Sequence, residues 1–138
     1  MEMQIVFPGG QRVDAITGNM VIKTDQNGTA PAPFGLFLAS IGTCAGIYVL
    51  SFCEQRGLPT DDIRIIQRMS VDPLTRMIDQ IELDIQLPPD FPEKYKDAVI
   101  RSANLCAVKK HLESPPAFSV YTSVREPEDN PVRIESFG

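Results

Sequence analysis

From Phe34 to Phe52 nineteen consecutive residues carry no formal charge, and that run constrains the fold more than any other feature of the chain. Nineteen uncharged residues reach the length of a membrane span. Gly35, Ser40, Gly42, Thr43, Gly46 and Ser51 dilute its apolarity, however, and no second such run accompanies it. The better reading is a buried central helix from Phe34 to Leu58, opening after Pro33 and stopping at Gly57 ahead of Pro59. Gly35, Ala39, Gly42 and Gly46 recur at helical spacing on one face. Such a stripe of small residues lets another element approach the backbone closely, and it suits a helix packed on all sides or across a dimer seam.

The flanking segments read as strands. Residues 3–7 alternate, with Met3, Ile5 and Phe7 on one side, and end at Pro8-Gly9-Gly10. A second strand runs from Gln11 to Ile16, turns at Thr17-Gly18-Asn19 and returns through Met20–Thr24; Asp25–Pro33 is a polar loop. Beyond the helix, Ile63, Ile65, Met69 and Val71 alternate with Arg64, Arg68 and Ser70, and Ile81, Leu83, Ile85 and Leu87 alternate with Gln80, Glu82, Asp84 and Gln86. That pattern predicts an antiparallel hairpin with one wet face, acids on one strand lying across from arginines on the other. A second helix spans Glu93 to Leu112, with Tyr95, Val99, Ala103 and Cys106 on or beside its apolar stripe. Phe118–Val124 alternates again as a terminal strand, and the last dozen residues read as a loosely held tail. Strands, long helix, hairpin, helix, strand is an α+β order, in a single domain over residues 1–138.

Charge and cysteine usage exclude several functions. Thirteen basic against eighteen acidic side chains leave a net charge of −5, and no basic cluster exceeds Lys109-Lys110. Neither a nucleic acid nor a membrane surface is therefore expected as partner. The N-terminus shows neither the basic nor the apolar region of a secretory signal, so a cytoplasmic location is expected. The three cysteines form no C-x-x-C and the one histidine is His111, read as a solvated helix-end residue; no metal and no cofactor are expected. Met3, Met20, Met69 and Met77 read as fillers of core gaps.

Cys44 and Cys53, nine residues apart on one helix, are separated by about 900° and face opposite ways, so they cannot form a disulfide. Cys44 and Cys106, on different helices, can. Cys53 reads as a small buried hydrophobe. From composition alone, inert burial describes Cys44 and Cys106 equally well.

The words around these thiols carry more. Pro33-Phe34-Gly35-Leu36-Phe37-Leu38-Ala39-Ser40-Ile41-Gly42-Thr43-Cys44 resembles the OsmC/Ohr family, in which the cysteine stands eleven residues after the proline. Glu54-Gln55-Arg56-Gly57-Leu58-Pro59 is similar to the family's end of the central helix, and Cys106-Ala107-Val108-Lys109-Lys110-His111-Leu112 to its second-cysteine helix. The resemblance covers roughly residues 3 to 124. It implies a two-layer α+β fold of antiparallel sheets around a long buried central helix, an intertwined homodimer, and thiol-dependent peroxidase activity towards organic hydroperoxides or hydrogen peroxide. Within it, Cys44 is the peroxidatic thiolate and Cys106 the resolving thiol, an external dithiol is the reductant, and Arg12 is the best match for an arginine that keeps the thiolate ionised. The chain departs from the family at Phe34, where active relatives carry a glutamate that orients the arginine. Two other functions stand beside the peroxidase: a non-catalytic module holding a small hydrophobic ligand in an apolar pocket lined by Phe34, and a structural dimer with inert thiols.

Overall fold

The structure is a computed structural model that describes residues 1–125. The chain divides into two compact units, the first Met1–Phe37 with the described residues from Ala117 on, the second Leu38–Pro116. The tail expected over the last dozen residues lies outside the described residues.

In the first unit, β1 (Gln4–Gly9), β2 (Arg12–Thr17) and β3 (Met20–Asp25) form an antiparallel meander in the order β1-β2-β3. Gln4 lies opposite Ile16 and Thr17 opposite Met20, with a register shift between Val6 and Gly9 where Pro8 interrupts the alternation. Gly18 holds the β2–β3 turn at φ +57°, a conformation a side chain would disfavour. The strands match the sequence expectation to within two residues at each end. Asp25 closes β3 with a local knot: its carboxylate accepts the Asn27 N–H at 2.8 Å and the Thr29 hydroxyl, and the Thr24 hydroxyl donates to the Val13 carbonyl.

Helix α1 (Pro33–Gln55) begins with proline at its first turn, where the missing N–H is no loss, and Leu36 N–H bonds the Ala32 carbonyl. It ends on Gly57 at φ +66°, where Leu58 N–H reaches the Cys53 carbonyl at 2.9 Å and satisfies an end carbonyl. Its length and composition would also let it cross a bilayer; in this fold its second-unit portion carries one side of a packed core.

That core belongs to the second unit. Strands β4 (Arg64–Val71) and β5 (Ile78–Gln86) pair antiparallel, Arg64 opposite Gln86 and Arg68 opposite Glu82. Ala45, Val49, Phe52 and Cys53 of α1 form a buried cluster with Phe91, Val99, Ala103 and Cys106, and Ile65, Leu83 and Ile85 of the hairpin pack against it. The small-residue stripe does what its spacing implies over part of its length. A Cβ on Gly46 would meet Ile65 at 3.8 Å, and one on Gly42 would lie 2.6 Å from Gln67, so β4 runs close along this face. Arg68 bonds Asp84 diagonally at 3.2 Å, as the charge pattern predicts.

Four expectations change. Met3, Met20, Met69 and Met77, expected to fill core gaps, are all exposed within the described chain. Helix α1 is not buried all round within the described chain: Ile41, Ala45, Val49, Phe52 and Cys53 are buried, whereas Ile47 is 59% exposed and Leu50 is exposed too. The apolar run is longer than the one face that β4, β5 and the second-helix region can cover. The helix expected over Glu93–Leu112 is three pieces, a 3₁₀ turn Glu93–Tyr95, α2 (Lys96–Ala103) and α3 (Ala107–Glu113). The chain bends at Asn104–Cys106, where Leu105 and Cys106 N–H bond back to Ser102 and Ala103 instead of continuing the α-helical ladder. Phe118–Val124 is no strand in the described chain: it pairs with nothing, and Phe118, Val120, Tyr121 and Val124 are all more than 80% exposed. Alternation supplies a strand's faces but not the neighbour its N–H and C=O groups need.

Candidate functional site

The bend before α3 makes the site. Cys106 occupies the position just ahead of α3, extended at φ −50° and ψ 126°, and is 2% exposed. A continuous helix would have carried residues 104–108 straight on. The bend instead leaves the N–H groups of Ala107 and Val108, which have no partner inside the helix at its first turn, near enough to Cys44 on α1 to favour its anion. Cys44 is half-buried and lies close enough to Cys106 that each thiol alters the other's ionisation. Ser102 secures α2 against α1 by donating its hydroxyl to the Tyr48 carbonyl at 3.0 Å, one turn along from Cys44.

These contacts treat the two thiols oppositely. The Val108 N–H, then the Cys106 side chain, then the Ala107 N–H stabilise a Cys44 thiolate and hold its pKa below the ordinary 9.0, against burial. Burial, and next the neighbouring Cys44 thiol, push the Cys106 thiol above that value. The pair therefore consists of one sulfur prepared as an anion and one prepared as a proton donor. Cys53 faces away into the core, is fully buried, and is pushed up by burial while the Arg56 charge draws it down. That placement agrees with its reading as a small hydrophobe.

Arg12 lies at the start of β2 and bonds Asp14, two residues on and therefore on the same face of the strand, at 2.5 Å. Asp14 is wholly buried, its second carboxylate oxygen has no partner among the described residues, and the Arg12 charge also bears on Asp25. Sequence reasoning sought an acid for Arg12 at the position of Phe34 and passed over Asp14, although the i, i+2 spacing in a strand was a sufficient signal. Phe34 stacks on Phe37 with ring centres 5.5 Å apart. The backbone donors of Ala107 and Val108 had no signal in the sequence, since a backbone N–H belongs to every residue. His111 bonds the Ala107 carbonyl from an exposed helix end.

A cavity of about 560 Å³ adjoins the pair in the second unit, walled by Ile41 and Ala45 of α1, Leu83 and Ile85 of β5, Ala103 and Cys106, with Asp84, Asn104 and Lys109 also on its lining. Among the described residues no group of three or more His, Cys, Asp or Glu could hold a metal ion.

A family model described as OsmC-like protein matches residues 25–120. No curated protein matches the chain. Among solved structures, a Psychrobacter arcticus protein described as an osmotic-stress-induced and detoxification response protein is similar with a TM-score of 0.61 and 20% identity, over 78% of this chain and 85% of that one. An OsmC-like protein from Mycoplasma pneumoniae is similar with a TM-score of 0.60 and 13% identity, over 83% and 87%. A hypothetical protein from Aquifex aeolicus is similar with a TM-score of 0.59 and 17% identity, over the same shares. At these identities the likeness is one of fold.

Proposed function

The chain belongs to the OsmC-like protein family, and from that premise we propose that it is a thiol-dependent peroxidase that reduces organic hydroperoxides or hydrogen peroxide through Cys44 and Cys106. The observation that carries the proposal is the pairing itself: two free thiols close enough to act on each other's ionisation, one lowered and one raised in pKa. The Cys44 thiolate attacks one peroxide oxygen, the O–O bond breaks, and the departing alkoxide or hydroxide takes up a proton. Cys44 is left as a sulfenic acid. The Cys106 sulfur then attacks the Cys44 sulfur and expels water, its own proton accompanying the leaving hydroxide, and a Cys44–Cys106 disulfide results. An external dithiol restores both thiols by exchange. The raised pKa of Cys106 suits a resolving role, because the thiol keeps its proton until the sulfenic acid has formed.

Arg12 enters the proposal through the family resemblance alone; what supports a fixed guanidinium is its ion pair with buried Asp14. A homodimer is part of the same reading, supported by the exposure of Ile47 and Leu50 on a helix with no charge over nineteen residues, the kind of face a second copy covers. A reducing, cytoplasmic setting belongs to it as well, since the resting thiols must be free.

A non-catalytic module that binds a small hydrophobic ligand is the second reading, favoured by the apolar cavity of about 560 Å³ beside Cys106, a volume within the range of small-molecule sites.

One experiment separates the two. Reduced protein receives one equivalent of an organic hydroperoxide, and intact mass and free thiols are followed. Loss of two hydrogens and two thiols, mapped to Cys44 and Cys106, supports the peroxidase. Both thiols unchanged over minutes, with an apolar fluorescent probe bound at stoichiometric amount, supports the binding module.

A further inference from the structure

The proposed first step leaves one proton without a source. When the Cys44 thiolate takes the terminal oxygen of a hydroperoxide, the other oxygen departs as an alkoxide or hydroxide. A partly buried site holds such a strong base poorly unless a donor protonates it as it forms. The N–H groups of Val108 and Ala107 favour the thiolate, but they are amides and release no proton. Cys106 keeps its proton for the resolving step. Thr43, next to Cys44 in the chain, spends its hydroxyl on the Ala39 carbonyl at 2.8 Å.

Tyr48 stands where the donor is needed. It follows Cys44 by four residues on α1, so the two side chains are neighbours one turn apart on one face. A helical side chain leans toward the N-terminus and covers the turn before its own Cα, which for Tyr48 is the turn that carries Cys44. Both residues are half-buried and pack against the same buried cluster, the one that holds Ala45, Val99 and Cys106. The Ser102 hydroxyl, donating to the Tyr48 carbonyl at 3.0 Å, fixes this turn of α1 against α2. The Tyr48 hydroxyl itself has no hydrogen-bond partner among the described residues.

We propose that Tyr48 is the proton donor to the departing oxygen. The inference rests on the Cys44 peroxidase reading above and supplies the residue behind its first step. The Cys44 sulfur bonds to the terminal peroxide oxygen, which keeps its hydrogen, and the O–O bond breaks. The Tyr48 O–H proton passes to the departing oxygen, giving the alcohol or water. The phenolate takes a proton back from solvent, which reaches the half-buried ring. Cys44 is left as the sulfenic acid, oxidised by two electrons, and the peroxide is reduced by two.

The test varies the leaving group. tert-Butyl hydroperoxide expels an alkoxide that needs a proton, peracetic acid expels acetate that needs none, and iodoacetamide expels iodide when it alkylates Cys44. Reduced wild type and Tyr48→Phe are mixed with each reagent under single-turnover conditions, and loss of the Cys44 thiol is mapped by mass. Tyr48→Phe is expected to lower the rate with tert-butyl hydroperoxide by about 10²-fold, while the rates with peracetic acid and iodoacetamide stay within about threefold of wild type. Equal slowing with all three reagents marks a structural role and overturns the proposal. A measurement on wild type alone needs no variant: in D₂O the rate with tert-butyl hydroperoxide should fall further than the rate with peracetic acid, and an equal effect on both overturns the proposal. Wild type whose Cys44 reacts with iodoacetamide but with neither peroxide removes the peroxidase reading and the inference with it. Wild type that reduces tert-butyl hydroperoxide while Tyr48→Phe keeps pace removes the inference alone.

Discussion

Gln67 of β4 lies with its Oε1 2.6 Å from where a Cβ on Gly42 would stand, while its Nε2 donates to the Leu38 carbonyl of α1 at 2.9 Å. The hairpin is thus fastened to the helix by a side chain that occupies the space a glycine leaves open. The same helix face is looser one turn on, where Ile65 is an ordinary van der Waals neighbour of the missing Cβ at Gly46. The two glycines therefore respond differently to a methyl group. Alanine in a helix interior is favoured over glycine by about 1 kcal/mol. Gly46→Ala is expected to gain most of that. At Gly42 the methyl displaces the end of Gln67 and weakens a bond of about 1 kcal/mol, so Gly42→Ala should come out within about 0.5 kcal/mol of wild type. Urea unfolding of the two variants checks the contrast; a Gly42→Ala protein as stabilised as Gly46→Ala would show that Gln67 moves without loss.

Arg12 and Asp14 are coupled by burial. Removing the guanidinium leaves a carboxylate with no exposure and no partner for either oxygen, whereas removing the charge from Asp14 leaves a partly exposed arginine that water can serve. Because Arg12 is itself one-third exposed, the expected cost of Arg12→Ala is about 1–3 kcal/mol, and that of Asp14→Asn is smaller. Adding Asp14→Asn to Arg12→Ala should restore part of the lost stability. A double-mutant cycle by denaturant midpoint measures it, and additive losses would contradict the coupling. Any peroxide kinetics on an Arg12 variant need this control first.

Much of this architecture is legible in the sequence because it is written in side-chain periodicity. Alternation at residues 3–24 and 63–87, and the uncharged run Phe34–Phe52 with its stop at Gly57, locate β1–β5 and α1, since each element must turn a face inward to exist. Periodicity is blind to the bend at Asn104–Cys106. Tyr95, Val99 and Ala103 keep helical spacing with Cys106, so the stripe crosses a break that consists wholly of backbone hydrogen bonds made one residue short. The only trace is Asn104, a weak helix former, whose side chain accepts from Lys109 at 2.7 Å across the bend. Two cysteines on separate helices are therefore readable, while the donors that make them unequal are not. The exposed Phe118–Val124 segment errs the other way: its alternation is plain, and the partner a strand requires lies outside any pattern in its own residues.

Cys53 predicts a loss of stability in alkali. Its thiol is fully buried and raised by desolvation, so in the folded chain it stays protonated above the pH at which an unfolded chain ionises near 9.0. The unfolded state then binds fewer protons than the folded one, and stability falls as pH rises, at up to about 1.4 kcal/mol per pH unit for one group. Below the unfolded pKa the contribution is constant. Cys53→Ala, which costs stability at neutral pH by opening a small gap, is expected to decline less steeply above pH 9 than wild type. Denaturation midpoints at pH 7, 9 and 10 read the difference, and parallel declines would place the alkaline loss elsewhere.

The two thiols of the pair should separate cleanly. Cys44→Ser is expected to reduce hydroperoxide consumption by about 10³-fold or more, since serine is no nucleophile at neutral pH. Cys106→Ser should consume one equivalent to reach the sulfenic acid and, given excess hydroperoxide, a second to give sulfinic acid on Cys44, seen as a mass gain of two oxygens, because nothing resolves the sulfenic acid. Equal turnover in both variants would refute the division of roles.

The lowered pKa of Cys44 assigns its largest cause to a single backbone N–H, that of Val108, and a proline can delete it. Val108 is the second residue of α3, where the first-turn N–H has no intrahelical partner and a proline ring clashes with no preceding helical carbonyl. Iodoacetamide reacts with the thiolate, so the pH profile of its rate follows ionisation. In wild type the Cys44 profile should rise at a pH below 9.0 and that of Cys106 above it. Val108→Pro is expected to move the Cys44 profile upwards, and Val108→Ala, which trims the side chain but keeps the donor, to leave it in place. Cys106→Ala should raise it by a smaller step, because the Cys106 thiol is the second cause and the Ala107 and Val108 donors persist. With Val108→Pro the reactivity of Cys44 towards a hydroperoxide at neutral pH should fall along with its thiolate fraction. A profile shifted by alanine as much as by proline would mean that packing of Val108, and not its N–H, governs the thiolate.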